Sequence, residues 1–412
     1  MNNKKTIKAG CEPSLDKIVR FLITPFLILI FLDTVRLAWV GLRENDAWKV
    51  GDWLINYQGG FVRRGLIGEF ILSTSSWSGF EPALFVVILQ SLCYLLLFLF
   101  AGMLLRHQKS LQLYVLLIFS PFIFTFQLHD GGFRKEILYF ALLAFFIWTT
   151  QIRNKKWRQA LIRALLLFYP VLILSHELLA IFLPYLLIVY FRQEGVSKKT
   201  TLSAALMVLP SFFVFLIVLA NPGTTEQVQA ICTSLGEHAP DSCDKDGGIE
   251  SLSWTTAFAF KKVKYSIAHL SYIPLYIFVI FMSLMALLPI GYKVKSHLMT
   301  GISLLLFLVS IAGTLLLFFF AGDWGRFIYI HLVSIFLVTL HRTGEKDLFG
   351  KANKENISLT QWLLGGSGRS KYFEHLIVLL FVCCYAMLWH IPYAGGNPFF
   401  SFILQGVFGL CI

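Results

Sequence analysis

Apolar runs separated by short polar interruptions dominate this chain from about residue 18 onward. They are solidly apolar over whole segments and do not alternate, so they read as helices surrounded by hydrocarbon and exclude a β-barrel. The pattern predicts about eleven spans, at roughly 18–40, 83–105, 111–128, 137–150, 160–175, 177–191, 201–220, 268–291, 298–320, 326–340 and 376–392. Between 160 and 191 lie Pro170, Pro184 and the sequence Ser175-His176-Glu177. This stretch reads as two short helices or as one proline-broken unit. The expected fold is all-α: a polytopic transmembrane bundle with its N-terminus inside, forming one integral membrane domain over 1–412. Outer loops are expected at about 41–82 and 221–267, and an inner loop at about 341–375.

Composition supports the bilayer as solvent: 57% of the 412 residues are hydrophobic and mean hydropathy is +0.71. A net charge of +12 would point to nucleic acid in a water-soluble protein. Here it reflects cytoplasmic Lys and Arg bias and attraction to anionic headgroups, so nucleic acid is not expected as a partner and membrane lipids are. With eleven spans and the N-terminus inside, most of the 35 Lys and Arg residues fall on inner segments. Merging 160–191 into one span would reverse that bias for the loops that follow, which favours two helices. Cys232 and Cys243 share the polar 221–267 loop, which this topology places outside, and are a disulfide candidate.

Glycine, charge and histidine gather in loops that this topology puts on one face. They are Gly51-Asp52-Trp53, Gln58-Gly59-Gly60-Phe61-Val62-Arg63-Arg64, His129-Asp130-Gly131-Gly132-Phe133-Arg134-Lys135-Glu136, Ser175-His176-Glu177 and Gly322-Asp323-Trp324-Gly325-Arg326. Gly59 and Gly60 allow close backbone approach to a ligand. A helix starting near Val62 would aim free N–H groups at an anion, with Arg63 and Arg64 adding bidentate contacts. The plainer reading is an interfacial helix whose arginines meet lipid phosphates. Two echoes favour function: a Gly-Gly-Phe sequence followed by a basic pair recurs at 131–135, and Gly-Asp-Trp recurs at 322–324. Two similar anion-friendly loops on one face point to a ligand of diphosphate character.

Asp323 can cap the following helix and pair with Arg326 three residues on. Glu177 in apolar surroundings would hold its proton more tightly, which suits a general base, with His176 beside it. Asp33 and Arg36 lie one turn apart and read as a structural pair. The histidines show no metal-ligand spacing, so no metal is expected, and no phosphate loop or Gly-x-Ser-x-Gly elbow occurs. The inner loop, with Lys346, Lys351 and Lys354, reads as a solvated linker.

The acidic first outer loop, Glu44, Asp46 and Asp52, returns through an amphipathic stretch into a multispanning chain. In this it resembles the polyprenyl-phosphate-sugar-dependent glycosyltransferases of the GT-C type, and is similar in outline to bacterial O-antigen and capsule polymerases. The resemblance implies a catalytic acid at Asp46 or Asp52. It also implies outer-loop arginines, here Arg63, Arg64, Arg134 or Arg326, on a lipid diphosphate. No cofactor is implied. The implied setting is a bacterial inner membrane, with a polyprenyl-linked glycan as substrate and envelope-polysaccharide assembly proteins as partners. Combined with the residue reading, the catalytic candidates are Asp52, Glu177, Asp46 and Asp323. The binding candidates are Arg63, Arg64, Arg134, Lys135, Arg326, His176, Gly59 and Gly60. Two alternatives stay open: a transporter or flippase for a lipid-linked or anionic solute, and a noncatalytic subunit of an envelope-assembly complex.

Overall fold

The computed structural model describes residues 15–129, 131–236, 243, 246–270, 272–342 and 371–393. Asp130 and most of the expected inner loop, 343–370, lie outside the described residues. In chain order the helices are α1 (Leu15–Arg43), α2 (Gly65–Ser78), α3 (Pro82–Arg106), α4 (Val115–Ile118), α5 (Glu136–Thr149), α6 (Lys155–Ser175) and α7 (Leu183–Glu194). They continue with α8 (Lys198–Ala220), α9 (Thr225–Leu235), α10 (Thr256–His269), α11 (Tyr272–Leu287), α12 (Gly291–Leu298), α13 (Gly301–Leu317), α14 (Trp324–Thr339) and α15 (Lys371–Met387). Among the described residues no strand occurs. Five stretches are long and apolar enough to cross a membrane: α1, α3, α6, α8 and the joined α11–α12.

Local chemistry sets the ends of these helices. Asn154 accepts from the backbone N–H groups of Lys156 and Trp157 and starts α6, while Ser197 with Thr200 forms a capping box on α8. Gly79, in the left-handed region, ends α2.

Two expected spans take a different form. Residues 111–128 are not a regular helix but 3-10 turns flanking the single turn of α4. Pro121 removes a backbone donor and blocks helix continuation, and the Ser120 hydroxyl bonds back to the Leu117 carbonyl. Irregular backbone at this depth is tolerated because the segment is almost wholly buried by other helices. Between 160 and 191 there are two helices. The chain is extended at His176, and a 3-10 turn, Glu177–Phe182, leads into α7.

Packing separates a centre from a rim. Every residue of α14 from Gly325 to Thr339 is buried. By contrast α8 exposes Leu202, Leu206, Leu209, Phe212, Phe213 and Leu216, the surface a helix presents to lipid. Polar side chains collect at two ends of the bundle. At one end the α1–α2 loop, the start of α5, the α6–α7 turn, the start of α14 and residues 391–393 converge. At the other, the start of α1 meets the end of α3, and the ends of α7, α12 and α14 meet one another.

Candidate functional site

The loop between α1 and α2 runs inward before it leads into α2. Asp46 accepts from the N–H groups of Trp48 and Lys49 at 2.8 and 2.7 Å, so its carboxylate is used in shaping its own loop. The chain then makes a buried 3-10 turn, Gly51–Leu54, that carries Asp52 to the interior. Asp52 is 0% exposed, and neither carboxylate oxygen has a hydrogen-bond partner. Its nearest ionic neighbour is Arg64, with Nη1 3.8 Å from Oδ1. Gly248 makes this enclosure possible: a Cβ there would lie 2.6–2.9 Å from the Asp52 backbone and Cβ. Burial alone would raise the pKa of Asp52. The charges of Lys135, Arg134, His176 and Arg64 outweigh it and hold the carboxyl well below its usual range.

The two Gly-Gly-Phe loops meet at this point. Lys135 is fully buried, and its Nζ donates to the Arg64 carbonyl at 2.9 Å. Arg64 and Phe133 both have positive φ, 68° and 65°, in the region that disfavours L side chains. Phe133 is held there by bonds to its carbonyl from Trp53 Nε1 (2.7 Å) and Gln90 Nε2 (3.0 Å), and by its N–H donating to the Tyr94 hydroxyl (3.1 Å). Such conformations persist where the surroundings over-determine them, and they gather at functional sites. The glycines serve packing: Gly59 lies against the Gln227 backbone of α9, where a Cβ would be 2.9 Å from Gln227 Cα, and Gly60 takes φ +96°. Helix α2 begins at Gly65, three residues later than the expected Val62.

Arg63 and Arg64 face inward, not toward lipid phosphates. Arg64 Nε donates to both Glu177 oxygens at 3.0 and 2.8 Å, and its Nη2 donates to Oε1 at 2.5 Å. Arg63 adds a longer bond to Glu177 at 3.4 Å and one to the Ser251 carbonyl at 3.3 Å. This corrects the expectation for Glu177. Its surroundings are cationic, not apolar, and a carboxylate gripped by two guanidiniums opposes proton uptake. The grip also holds Arg64 protonated above its usual range, because Glu177 outweighs burial; Arg63, whose pull from Glu177 is weaker, is lowered by burial.

The second half of the site comes from α14 and α5. Asp323 makes no capping bond to α14; this too differs from expectation. Its carboxylate turns to Arg326 Nη1 at 2.8 Å and to the Tyr393 hydroxyl at 3.3 Å, where a charged partner outcompetes a backbone N–H. Arg326 also pairs with Glu136, which is buried at the first turn of α5. Arg326 Nη2 lies 3.3 Å from His176 Nε2. His176 Nδ1 accepts from the Leu178 backbone N–H at 3.3 Å, capping the 3-10 turn, and lies 3.5 Å from Glu177. Gly325 lets residues 391–393 lie on the start of α14, since a Cβ would overlap the Pro392 carbonyl.

The structure thus brings Asp52, Arg63, Arg64, Arg134, Lys135, His176, Glu177, Asp323 and Arg326 into one cluster, and leaves Asp46, Gly59 and Gly60 at its edge. Within it Arg63, Arg64 and Arg326 are paired with carboxylates. Arg134 and Lys135 are not: among the described residues no carboxylate stands within ion-pair distance of either. Arg134 is buried over the Trp48 ring at 4.6 Å, with Nε and Nη1 unbonded. Burial lowers the Lys135 ammonium to about 8 against the pull of Asp52. Two unpaired cations beside an unbonded carboxylate form a place where an anion and a proton donor can meet. Glu136, Trp48 and Tyr393 are participants that sequence reasoning did not single out. The one readable signal among them was the acid of Glu136 opening an otherwise apolar helix.

Cys232 and Cys243 are bonded, with Cα atoms 5.8 Å apart, just beyond the α9 segment that covers the Gly59 loop. Neither the curated proteins nor the solved structures hold a match to the chain. Residues 21–265 match the family described as "Uncharacterised membrane protein Rv1490". That stretch is more than half of the chain and contains Asp52, both Gly-Gly-Phe loops and the His176–Glu177 turn. The chain belongs to the Rv1490 membrane protein family.

Proposed function

We propose that this protein is a membrane-embedded enzyme of polysaccharide biosynthesis that transfers or polymerises sugar units from a polyprenyl-(di)phosphate-linked donor at the outer face of a bacterial inner membrane. The observation that carries the reading is Asp52: fully buried, unbonded at both oxygens, and kept ionised by the cations around it. In the reaction an acceptor hydroxyl attacks the anomeric carbon and the bond from that carbon to the phosphate oxygen breaks. The electron pair leaves on the lipid phosphate, and the hydroxyl proton passes to Asp52. Arg134 and Lys135 hold the phosphate and stabilise its growing charge. Arg326 with Asp323 orients the acceptor, while Glu177 fixes Arg64 and Arg63 beside the donor. The bound phosphate has a further consequence. Its negative charge offsets the cations that keep Asp52 weakly basic, so Asp52 gains proton affinity only when donor is present.

The experiment is the lipid-linked and surface glycan profile of cells lacking the gene, complemented with wild type or Asp52→Asn. Loss of long chains or of a defined sugar, restored by wild type but not by Asp52→Asn, supports the reading. An unaltered profile on deletion contradicts it. The second reading, a transporter or flippase for a lipid-linked or anionic solute, is favoured by one observation. Buried polar groups continue along α14 away from the site, where His331 bonds Tyr185 and Thr314, and Ser334 bonds Tyr139.

A further inference from the structure

At the end of the bundle opposite the site, α1 and α3 leave a cavity of about 250 Å³ lined by Ile23, Leu27, Phe31, Leu95, Phe98 and Leu99. Its walls are almost wholly apolar. Ile28, Leu95 and Leu99 are exposed along it, so it opens where these helices face hydrocarbon. From Ile23 to Phe31 the groove runs about 12 Å along α1, close to the ~15 Å of one leaflet's acyl region. Only one end is polar. There Arg106 closes α3, and its Nη2 donates to the Thr24 hydroxyl at 2.6 Å. Arg20 packs against the same turn through bonds to the Arg106 and Gln108 carbonyls at 2.7 and 2.5 Å, and Asp16 balances its charge. No carboxylate among the described residues balances Arg106, and exposed Lys17 adds a second charge at this end.

We propose that this groove binds one acyl chain of an anionic glycerophospholipid of the cytoplasmic leaflet, with its phosphate on Arg106. The apolar walls select a lipid tail and not a solute. The charge at the mouth selects an anionic headgroup over a zwitterionic one. The basic bias of this end places it on the cytoplasmic side, where anionic lipid is the available partner. The site is separate from the Asp52 cluster and stands whether or not that cluster is catalytic.

The test is native mass spectrometry of the detergent-purified full chain with added phosphatidylglycerol or phosphatidylcholine of identical chains. Wild type is expected to retain phosphatidylglycerol preferentially. Arg106→Gln should weaken that retention about fivefold. Leu99→Trp, which fills the groove while keeping the charge, should remove it too. Lys199→Gln, an exposed charge at the start of α8, should leave it intact. Equal retention of the two lipids by wild type would overturn the proposal without reference to any variant. A loss in Lys199→Gln as large as that in Arg106→Gln would overturn it as well, showing diffuse surface attraction instead of a site.

Discussion

The two ends of this bundle bury polar groups in opposite ways. At the end away from the site, Lys293 and Arg192 meet neutral acceptors. Lys293 donates to Gln108 Oε1 at 2.6 Å and to the Tyr114 hydroxyl at 3.0 Å, and Arg192 donates to the Ser296 carbonyl at 2.6 Å. His297 and Gln108 tie down the last carbonyls of and after α14, His341 and Leu340. These are helix ends closing on one another, the usual remedy for unpaired backbone groups. At the site end the charges are arranged otherwise. Carboxylates grip three arginines, yet Asp52 accepts no hydrogen bond, and among the described residues no carboxylate stands within ion-pair distance of Arg134 or Lys135. Where cations meet neutral acceptors at helix ends, the bonds serve the fold. Where a buried carboxylate and two cations are left over, the surroundings bear a cost that a ligand would relieve.

Substitutions separate these roles, the largest effects first. Asp52→Asn is expected to reduce glycan transfer by about two orders of magnitude or more. Its thermal stability should fall as well, since the cations that hold the Asp52 carboxyl below its usual range lose the charge that balances them; transfer assays and melting curves on the same preparation check both. Lys293→Met should affect stability alone, losing about 1–3 kcal/mol by leaving Gln108 Oε1 without its donor. Its turnover per folded molecule should be unchanged. Arg64→Ala leaves Glu177 buried without its main partner and should lower stability by about 3–5 kcal/mol. The double change Arg64→Ala with Glu177→Ala should recover most of that stability but not activity, which distinguishes a structural ion pair from a catalytic carboxylate.

A smaller effect depends on pH. Burial holds Lys135 at about 8, so its charge is present below that value and is lost as pH rises through it. Donor KM is therefore expected to climb above about pH 8, and Lys135→Arg should move that limb to higher pH. Smallest of all, Asp33→Asn breaks an exposed pair on α1 and should change stability by less than about 1 kcal/mol, with activity intact.

Much of the site was legible because its residues are costly in a membrane and stand out against apolar runs. Asp52, Arg64, Arg134 and Arg326 all belong to short charged clusters, and the repeated Gly-Gly-Phe-basic pattern marks two loops that the structure joins through Lys135 and the Arg64 carbonyl. The glycines were read for ligand approach but serve helix contact at Gln227, because spacing shows freedom of the backbone and not what fills it. The role of Glu177 was misread for a related reason. Its hydrophobic neighbours in sequence are not its neighbours in space, where Arg64 arrives from 113 positions away. Tyr393 and Gly248 gave no signal, since each acts only through a segment that tertiary packing lays over the site. Of the expected spans, the break at 111–128 followed from Pro121, whose effect a hydropathy run conceals.

Asp52 and Lys293 set the proposed chemistry against the maintenance of the fold. The direct measurement is the surface and lipid-linked glycan profile of gene-deleted cells expressing Asp52→Asn or Lys293→Met at matched membrane abundance. The account predicts that Lys293→Met restores the wild-type profile and Asp52→Asn does not. Restoration by Asp52→Asn would contradict it.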